Sequence, residues 1–470
     1  MERVLCLKLG HAPLLSRFCL FKNLVLIALI LNFCAACQLA ATAENDSATA
    51  DASKKSRNEA ALLQARNNIE KFRKGDARIK ILDARGKLLS DAQINVRQIS
   101  HDFKFGCYLK IDDLAPEKLA AYEAHFSGIF NYAVVGTYWD FVENRRDAEN
   151  WAWFEREVAL ARKLNLRIAA APVLWGTNEA GTPAWLPRAK DELLPILKRR
   201  VQRSVAKYEN FIEDWEIVNE PLAPKTDVFA QRIGNDYIAS AFQWSRQIAP
   251  GERLMINEYG VFGAIKTQNY NREKYFSLVK ELIEKNVSLD VVGIQAHANG
   301  EWFEPANVAE RLDAYAALGK PIQITEFSAR IFRDQDRRQP LEISGAYRAG
   351  ERWDEEKQAE FYREFYTVAF GSPQVEAIVA WGLDDERAWL PGIGLIDADG
   401  NPKPNYKTLE RLINNEWRTN LQINPDAEEK AGFRGFYGSY EVEVVINGKI
   451  TSKTEFELKK DEKNEWILNL

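Results

Sequence analysis

The sequence predicts a parallel (β/α)₈ (TIM) barrel, and two observations carry that prediction. Eight strand-like runs alternate with helix-like segments between about residues 103 and 415. The strand-like runs are continuously apolar, which is typical of parallel strands that helices cover on both faces. A doubly wound open sheet is the alternative, but no Gly-x-Gly-x-x-Gly motif follows any of the strands.

The predicted strands are short and rich in β-branched residues. In chain order they are Phe103–Leu109, Tyr132–Gly136, Arg167–Leu174, Asp214–Asn219, Arg253–Asn257, Asp290–Ala296, Pro321–Thr325 and Ala377–Gly382. The intervening segments carry apolar residues three or four positions apart, as in the stretches 153–164, 275–283 and 361–370. This spacing predicts amphipathic helices, so strand and helix alternate throughout the region.

Four further regions flank the barrel, which we place at residues 103–416. Residues 1–43 are predicted as an export signal, and residues 44–76 as a polar tether and lead-in. Residues 77–102 alternate apolar and polar positions around a glycine turn, which predicts a β-hairpin or small N-terminal β-module. Residues 417–470 alternate similarly, with Asn447–Gly448 as a turn, and predict a C-terminal β-extension.

The amino-terminal segment has the pattern of a secretory signal. Basic residues precede the apolar run Leu24–Leu31, which is too short to span a membrane comfortably. Cys34–Cys37 resembles a bacterial lipoprotein box with Cys37 as the acylated residue, whereas Ala41–Ala43 offers a competing cleavage site. We favour the lipoprotein. We therefore expect an exported protein, outer-membrane, periplasmic or secreted, that touches a membrane only through a lipid on Cys37.

Charge and cysteine content exclude several classes of protein. The net charge is −5 with both signs interspersed, so no basic block indicates a nucleic-acid partner. Cys107 is the only cysteine beyond the export segment, so the folded part cannot contain an intramolecular disulfide. It lies on a predicted strand, where we expect a small buried side chain. We expect a monomer that uses no metal or other cofactor.

Two glutamates stand at the ends of predicted barrel strands. The strand Asp214–Asn219 stops at Glu220 because Pro221 lacks an N–H group and disfavours helix in the residue before it. The strand Pro321–Thr325 likewise ends at Glu326. One such glutamate alone is more often a solvated loop residue. A pair at the carboxyl-end rim of one barrel, however, is what hydrolysis of a glycosidic bond requires.

The chemistry assigns different roles to the two carboxyl groups. Glu326 is predicted as the nucleophile, which must be ionised, and Glu220 as the acid/base, which must carry a proton. Further polar and aromatic side chains at the strand ends are predicted to bind substrate or support the pair: Asn219 at the sugar 2-hydroxyl, His297 and Gln295 against the nucleophile, Trp381 and Trp389 as a sugar platform, and Asn257 and Trp175 beside them. The alternatives are a structural role for the histidine and a barrel-plugging role for the tryptophans.

At these motifs the chain resembles glycoside hydrolase family 10, the retaining endo-β-1,4-xylanases. The resemblance covers roughly residues 60–415. The matching segments are Trp215–Glu220, Leu254–Tyr259, Gly293–His297, Ile324–Glu326, Trp381–Asp385 with Trp389, the stretch 401–406 and the module Ile79–Gly106, which is similar to the start of plant-type members. It implies a (β/α)₈ barrel that cleaves β-1,4-linked plant polysaccharide through a covalent glycosyl-enzyme. It also implies that Glu220 is the acid/base and Glu326 the nucleophile.

The chain departs from the family pattern close to the catalytic pair. Six positions differ: Gly136, Thr137 and Asp140 after strand two, Ala171 and Gly176 around strand three, and Ser328 after the nucleophile. Retained catalytic residues with altered sugar contacts leave two alternatives to a xylanase open. One is a retaining β-glycosidase that acts on another β-glycan, and the other is a non-catalytic carbohydrate-binding barrel.

A divalent-metal hydrolase that uses Asp384, Asp385 and His297 is a third alternative. The sequence disfavours it because no His-rich spacing typical of a metal site is present.

Overall fold

The computed structural model describes residues 51–89, 92–112, 114–177, 181–208, 211–222, 227–263, 269–298, 302–331, 354–424 and 430–470. The predicted export signal, its proposed lipid-anchor residue Cys37 and the first part of the tether lie outside these residues. Within the predicted tether and lead-in, residues 51–72 form a helix, α1, rather than irregular chain. None of the described helices is both long and apolar enough to cross a membrane.

Strand β1, Lys74–Leu82, and strand β2, Gln93–His101, precede the barrel. The eight predicted barrel strands are confirmed: β3 Lys104–Tyr108, β4 Tyr132–Gly136, β5 Arg167–Ala171 with its continuation β6 Leu174–Trp175, β7 Asp214–Asn219, β8 Arg253–Glu258, β9 Val291–Ala298, β10 Ile322–Ala329 and β11 Val375–Ala380. All neighbouring pairs are parallel, and the ring closes where β3 pairs with both β4 and β11.

Three strands differ from the prediction in ways that affect the site. The third strand is interrupted at Pro172, which has no N–H group to donate to a neighbouring strand. Strands β9 and β10 run further than predicted, so His297 and Glu326 lie within strands and not in the loops that follow them. A side chain carried by a paired strand is held more firmly than one on a loop.

The connecting helices pack their apolar faces against the barrel. They are α2 Pro116–Ile129, α3 Trp139–Val142, α4 Ala152–Lys163, α5 Lys190–Lys207, α6 Val228–Ile233, α7 Asp236–Ile248, α8 Asn269–Glu284, α9 Pro305–Ala316, α10 Glu355–Gly371 and α11 Pro404–Arg411, followed by a π-helical turn, Leu412–Glu416. Three of them begin with proline, which suits the first helical position because its missing N–H would have no partner there. Helices α4, α8 and α10 confirm the three helices predicted at 153–164, 275–283 and 361–370.

The two terminal regions together form a β-sandwich. The carboxyl-terminal strands are β12 Asn420–Ile423, β13 Lys430–Phe436, β14 Gly438–Ile446, β15 Lys449–Leu458 and β16 Glu465–Asn469. One sheet has the order β13-β1-β16 and the other β12-β2-β14-β15. Ile79, Val96, Phe433, Val442 and Trp466 contribute to one core shared by both sheets. The two stretches predicted as separate β pieces therefore pair with each other.

The two hairpins predicted in these regions have different outcomes. Strands β1 and β2 lie in different sheets, so the hairpin considered for residues 77–102 is wrong. The hairpin at Asn447–Gly448 is present between β14 and β15. Both of its turn residues have positive φ, 50° and 74°, as the tight turn that matches the strand twist requires.

A buried ion-pair cluster closes the amino-terminal end of the barrel. The ammonium group of Lys104, at the start of β3, lies 2.5 Å from Oδ2 of Asp214 at the start of β7. The hydroxyl of Tyr132 donates to the same oxygen at 2.8 Å, and Arg253 lies 3.2 Å from Oδ1. Cys107 on β3 is fully buried, as expected from the sequence.

Candidate active site

A cleft of about 460 Å³ opens at the carboxyl ends of the barrel strands. Both predicted catalytic residues, Glu220 and Glu326, line it. Most of the predicted binding residues line it too: Trp175, Asn219, Gln295, His297, Trp381 and Trp389. Asn257 is fully buried and reaches the cleft only through its contact with Glu326.

Glu326 is held by two nitrogen atoms, one at each carboxylate oxygen. The amide of Asn257 donates to Oε1 at 2.9 Å, and Nε2 of His297 lies 3.1 Å from Oε2. The hydroxyl of Thr325 donates to Oδ1 of Asn257 at 2.6 Å, which fixes the orientation of that amide. Contacts at both oxygens hold the carboxyl group of Glu326 in one orientation in the cleft.

The predicted role of Asn257 in substrate binding is wrong. Its side chain is 0% exposed, and its amide group donates hydrogen bonds to two protein acceptors, Glu326 and Asn219. It therefore positions the nucleophile and cannot touch a sugar. Asn219 itself lines the cleft, and its Oδ1 accepts from Asn257 at 3.1 Å and from Gln295 at 3.3 Å. Its predicted contact with the sugar 2-hydroxyl stays a prediction.

Glu220 is the second carboxyl group of the cleft. The indole of Trp175 donates to its Oε2 at 3.0 Å, and Gln295 donates to its Oε1 at 2.9 Å. The prediction that Gln295 contacts the nucleophile is therefore wrong: its amide donates to Glu220 and Asn219, and the described contacts include none between Gln295 and Glu326. Burial, and then repulsion from Glu326, raises the pKa of Glu220 above its ordinary value. A group that keeps its proton in this way suits a general acid.

The backbone of Glu220 has an unusual conformation that its surroundings hold in place. Its φ is 51°, in the left-handed region that side chains other than glycine, asparagine and aspartate rarely adopt. Its own N–H donates to the carbonyl of Asn257 at 2.9 Å. The buried carboxyl of Glu258 accepts from the N–H of Leu222 at 2.9 Å and from that of Tyr259 at 2.9 Å. Glu258 thus anchors the chain immediately after the acid/base.

His297 bridges the nucleophile and the position at which the chain departs from the family pattern. Its Nδ1 lies 2.8 Å from the hydroxyl of Ser328. Because an ionised Glu326 can only accept, we assign the proton on Nε2 of His297 to that contact. A serine hydroxyl can then donate to Nδ1 or accept from it. Ser328 therefore orients the ring in either protonation state.

Two aromatic side chains lie where a sugar platform is predicted. Trp381 lines the cleft and stacks on Tyr108 with ring centroids 4.4 Å apart. Trp389 is 51% exposed and its ring lies 5.0 Å from that of His297. The exposure of Trp389 does not fit a barrel plug. Trp381 is partly buried and packs against a cluster that includes Val134, Ala171 and Val379, so it fits both a barrel plug and a cleft wall.

One buried carboxyl group of the cleft was not singled out from the sequence. Glu216 lies within β7, is 3% exposed and lines the cleft with Glu220 and Glu326. Burial, followed by repulsion from those two groups, raises its pKa well above the ordinary value. The available signal was a charged residue inside an otherwise apolar strand. Tyr138, which follows the second barrel strand, lines the same cleft.

The residues considered for a metal site have other partners. Asp384 pairs with Arg387 at 2.7 Å, and Asp385 pairs with Lys403 at 3.1 Å. His297 contacts Glu326. No three histidine, cysteine, aspartate or glutamate side chains in the described part of the chain are grouped as metal ligands would be.

A closed (β/α)₈ barrel that presents two carboxyl groups in one cleft at its strand ends defines a glycoside hydrolase. The profile of glycosyl hydrolase family 10 matches residues 96–411. The chain belongs to this family.

Relatives within the family share about a quarter of their residues with the chain. An endo-1,4-beta-xylanase B of Thermotoga neapolitana is 28% identical over 289 residues, 58% of this chain and 78% of the relative. A beta-1,4-xylanase of Dictyoglomus thermophilum is 27% identical over 282 residues, 56% of this chain and 76% of the relative. The solved structure of xylanase 10B from Thermotoga petrophila in complex with xylobiose superposes with a TM-score of 0.57 at 26% identity, over 67% of this chain and 95% of that one.

Proposed function

We propose that the protein is an endo-1,4-β-xylanase that cleaves β-1,4-linked xylan with retention of configuration. The observation that carries the proposal is the unequal treatment of the two carboxyl groups in one cleft. Glu326 receives a nitrogen contact at each oxygen, whereas burial and repulsion favour the protonated form of Glu220. The names of the relatives from Thermotoga and Dictyoglomus support xylan as the substrate.

The first step forms a covalent glycosyl-enzyme. An oxygen of Glu326 attacks the anomeric carbon while the bond from that carbon to the glycosidic oxygen breaks. Glu220 gives its proton to the departing oxygen, so the leaving sugar departs as an alcohol. Esterification removes the negative charge of Glu326, and with it one cause of the raised pKa of Glu220.

The second step returns the enzyme to its starting state. The pKa of Glu220 falls once the charge of Glu326 is gone, so the now ionised Glu220 can take a proton from an incoming water. That water attacks the anomeric carbon from the face that the leaving group vacated, and Glu326 departs as a carboxylate. Two inversions give net retention, and Glu220 ends the cycle protonated.

The test uses an aryl xylobioside and the variants Glu326→Ala and Glu220→Ala. We expect Glu326→Ala to lower kcat/KM on the aryl xylobioside by at least about 10³-fold, and Glu220→Ala to do so on xylo-oligosaccharide, whose leaving sugar needs a proton. Azide should rescue both variants. It should give an α-glycosyl azide with Glu326→Ala and a β-glycosyl azide with Glu220→Ala, because it replaces a different group in each.

Glu123→Ala is the matched control, because Glu123 lies on α2 and pairs with Lys163 far from the cleft. Wild-type-like turnover by Glu326→Ala would exclude the mechanism. Binding of xylo-oligosaccharide without hydrolysis by the wild-type protein would select the carbohydrate-binding alternative. Hydrolysis of mixed-linkage glucan but not of xylan would select another β-glycan as the substrate.

We also propose that the chain is exported, acylated at Cys37 and monomeric. The basic segment, short apolar run and Cys34–Cys37 box support this proposal. Radiolabelled palmitate should enter the wild type and Cys34→Ser but not Cys37→Ser. Labelling of Cys37→Ser would exclude Cys37 as the acylated residue, and release of an unlabelled product that begins at Glu44 would favour soluble export. Light scattering of the detergent-free Cys37→Ser form should give the mass of one chain.

A further inference from the structure

A second cavity of about 220 Å³ lies beside the catalytic cleft. We call it the side cavity. Lys110, Asp112 and Phe141 line it, and it shares Trp381 and Trp389 with the cleft. Its volume is below the range of about 300–1,000 Å³ that holds drug-sized ligands, so it suits a single sugar residue. The shared walls let a group attached to a polysaccharide in the cleft enter the side cavity.

The walls of the side cavity offer apolar ring faces to a sugar. Phe141 is 57% exposed and Trp389 is 51% exposed, so both rings are open to a ligand. Tyr108 and Tyr122 also line the cavity. Tyrosine and tryptophan combine a flat apolar body with a polar edge, and such rings pack against the C–H faces of sugars. No role in the proposed reaction uses Phe141 or either tyrosine.

The charged groups of the side cavity are paired, with one exception. Arg387 lies 2.7 Å from Asp384, and Asp112 lies 3.6 Å from Arg156. Among the described residues, the hydrogen-bond partner of the Lys110 ammonium group is the carbonyl of Arg387, at 3.4 Å, which is long for a hydrogen bond. Across the described residues, no carboxylate lies within ion-pair distance of Lys110. Within the part of the chain that the structure describes, the side cavity therefore contains a cation that no carboxylate contacts in an ion pair.

A hydrogen bond to another cavity residue holds the backbone of Lys110 at the cavity wall. Its N–H donates to the hydroxyl of Tyr122 at 3.2 Å. The carboxyl of Glu157 also interacts with Lys110, but burial and then repulsion from Asp112 raise the pKa of Glu157 well above its ordinary value. No ion pair joins Glu157 to Lys110 among the described residues, so the geometry leaves room at the ammonium group for another anion.

We propose that the side cavity binds a uronic acid residue carried by the polysaccharide as a substituent, with its carboxylate paired to Lys110. The inference rests on the proposed function, because the cleft must hold the chain that carries the substituent. A sugar carboxylate supplies both the missing negative charge and a ring for the aromatic walls. A neutral substituent would fill the cavity but leave the ammonium group of Lys110 unpaired.

The experiment measures binding separately from catalysis. Titration calorimetry in the Glu326→Ala background compares a xylo-oligosaccharide that bears one glucuronosyl substituent with the same compound after reduction of its carboxylate. We expect the charged ligand to bind about 10-fold more tightly, as for one charge-assisted hydrogen bond. Lys110→Met should abolish the preference and Lys110→Arg should retain it. Lys118→Met is the control, because Lys118 pairs with Glu386 at 2.9 Å outside the cavity.

The outcomes distinguish this inference from the proposed function. Equal affinity for the two ligands, an equal loss of both on Lys110→Met, or the same loss on Lys118→Met would overturn the uronic acid site. Thermal melting of each variant shows that the fold is retained. If otherwise wild-type protein hydrolyses neither ligand while the preference persists, the xylanase proposal fails and the side-cavity inference stands. If it hydrolyses both without preference, the reverse holds.

Discussion

The side-chain amide of Gln295 donates to Oε1 of Glu220 at 2.9 Å, so strand β9 holds the acid/base at the end of strand β7. This hydrogen bond stabilises the ionised form of Glu220 and opposes the effect of burial on its pKa. In Gln295→Met the amide is lost at similar volume. We expect the pKa of Glu220 to rise further, so the proton is retained to higher pH.

The measurement is the pH profile of kcat/KM on an aryl xylobioside. Its alkaline limb, which reports loss of the proton from the general acid, should move to higher pH in Gln295→Met. We expect kcat/KM at neutral pH to fall about 10-fold, because the side chain of Glu220 loses a donor that holds it. Gln323→Met is the control, since Gln323 donates to Glu376. A limb that stays in place would contradict the assignment of Gln295.

The charge of Glu326 is the second cause of the raised pKa of Glu220. Removing that charge in Glu326→Gln should lower the pKa of Glu220, since repulsion disfavours only the ionised form. Carbon-13 NMR of glutamate-labelled protein, with Glu220→Gln to assign the signal, would report the titration directly. An unchanged or higher pKa would mean that the two carboxyl groups do not interact, and the proposed exchange of acid and base roles would fail.

Glu258 is expected to position the acid/base without touching substrate. In Glu258→Ala the N–H groups of Leu222 and Tyr259 lose their shared acceptor, which frees Glu220 to leave its left-handed backbone conformation. A left-handed residue other than glycine costs about 1–2 kcal/mol, so the unrestrained chain relaxes. Misplacement of the acid should slow substrates with poor leaving groups more than activated ones.

Leaving-group dependence is therefore the measurement for Glu258→Ala. We expect kcat/KM to fall about 100-fold on xylo-oligosaccharide and less than about 10-fold on a dinitrophenyl xylobioside. Glu143→Ala is the matched control, because Glu143 is also a buried carboxyl but holds Trp139 and the N–H of Asp147. Equal losses on both substrates would indicate a general structural role for Glu258.

The barrel could be predicted from the sequence because each strand is a local signal. The run that ends at Glu220 is apolar, and Pro221 stops it, so both the element and its end are visible within a few residues. The sandwich could not be predicted in the same way. Asp76 on β1 contacts Arg434 on β13, 358 residues along the chain, and alternation alone does not identify so distant a partner.

The same limit applies within the site. The positions of Glu220 and Glu326 follow from strand ends, whereas the partners of Asn257 and Gln295 depend on the stagger of neighbouring strands. The register shifts between β9 and β10 next to Glu326, which decides how each amide faces the two carboxyl groups. The local sequence pattern does not indicate that shift. The sequence therefore predicted Asn257 and Gln295 as site residues but not which side chains they contact.

Glu157 predicts how stability depends on pH. Burial raises the pKa of Glu157 well above the value of an unfolded chain, so the native state binds its proton more tightly. Its stabilising effect is complete below the ordinary glutamate pKa and is lost as pH rises through the native pKa. Glu157→Gln, which stays neutral, should therefore gain stability relative to wild type as pH rises above about 4.5.

Urea unfolding of Glu157→Gln and wild type at several pH values would measure the difference. The control is Glu284→Gln, because the side chain of Glu284 is 65% exposed on α8 and its difference from wild type should not grow with pH. A difference that is constant from pH 5 to 9 would mean that Glu157 ionises normally in the native state.

The ion pair of Lys104 and Asp214 is expected to stabilise the barrel without serving catalysis. Lys104→Met leaves the fully buried Asp214 with Arg253 and the Tyr132 hydroxyl as its remaining partners. Breaking one side of a buried pair costs about 3–5 kcal/mol, and these partners place the expected loss at about 3 kcal/mol. The double variant Lys104→Met/Asp214→Leu should recover most of it, because no buried carboxylate remains and Arg253 still pairs with Glu376 at 2.6 Å. Urea unfolding measures both variants.

Since the cluster lies at the end of the barrel opposite the cleft, kcat/KM well below the unfolding transition should stay within about two-fold of wild type. A double variant no more stable than Lys104→Met would show that packing of the lysine stem, and not the charge left behind, sets the loss.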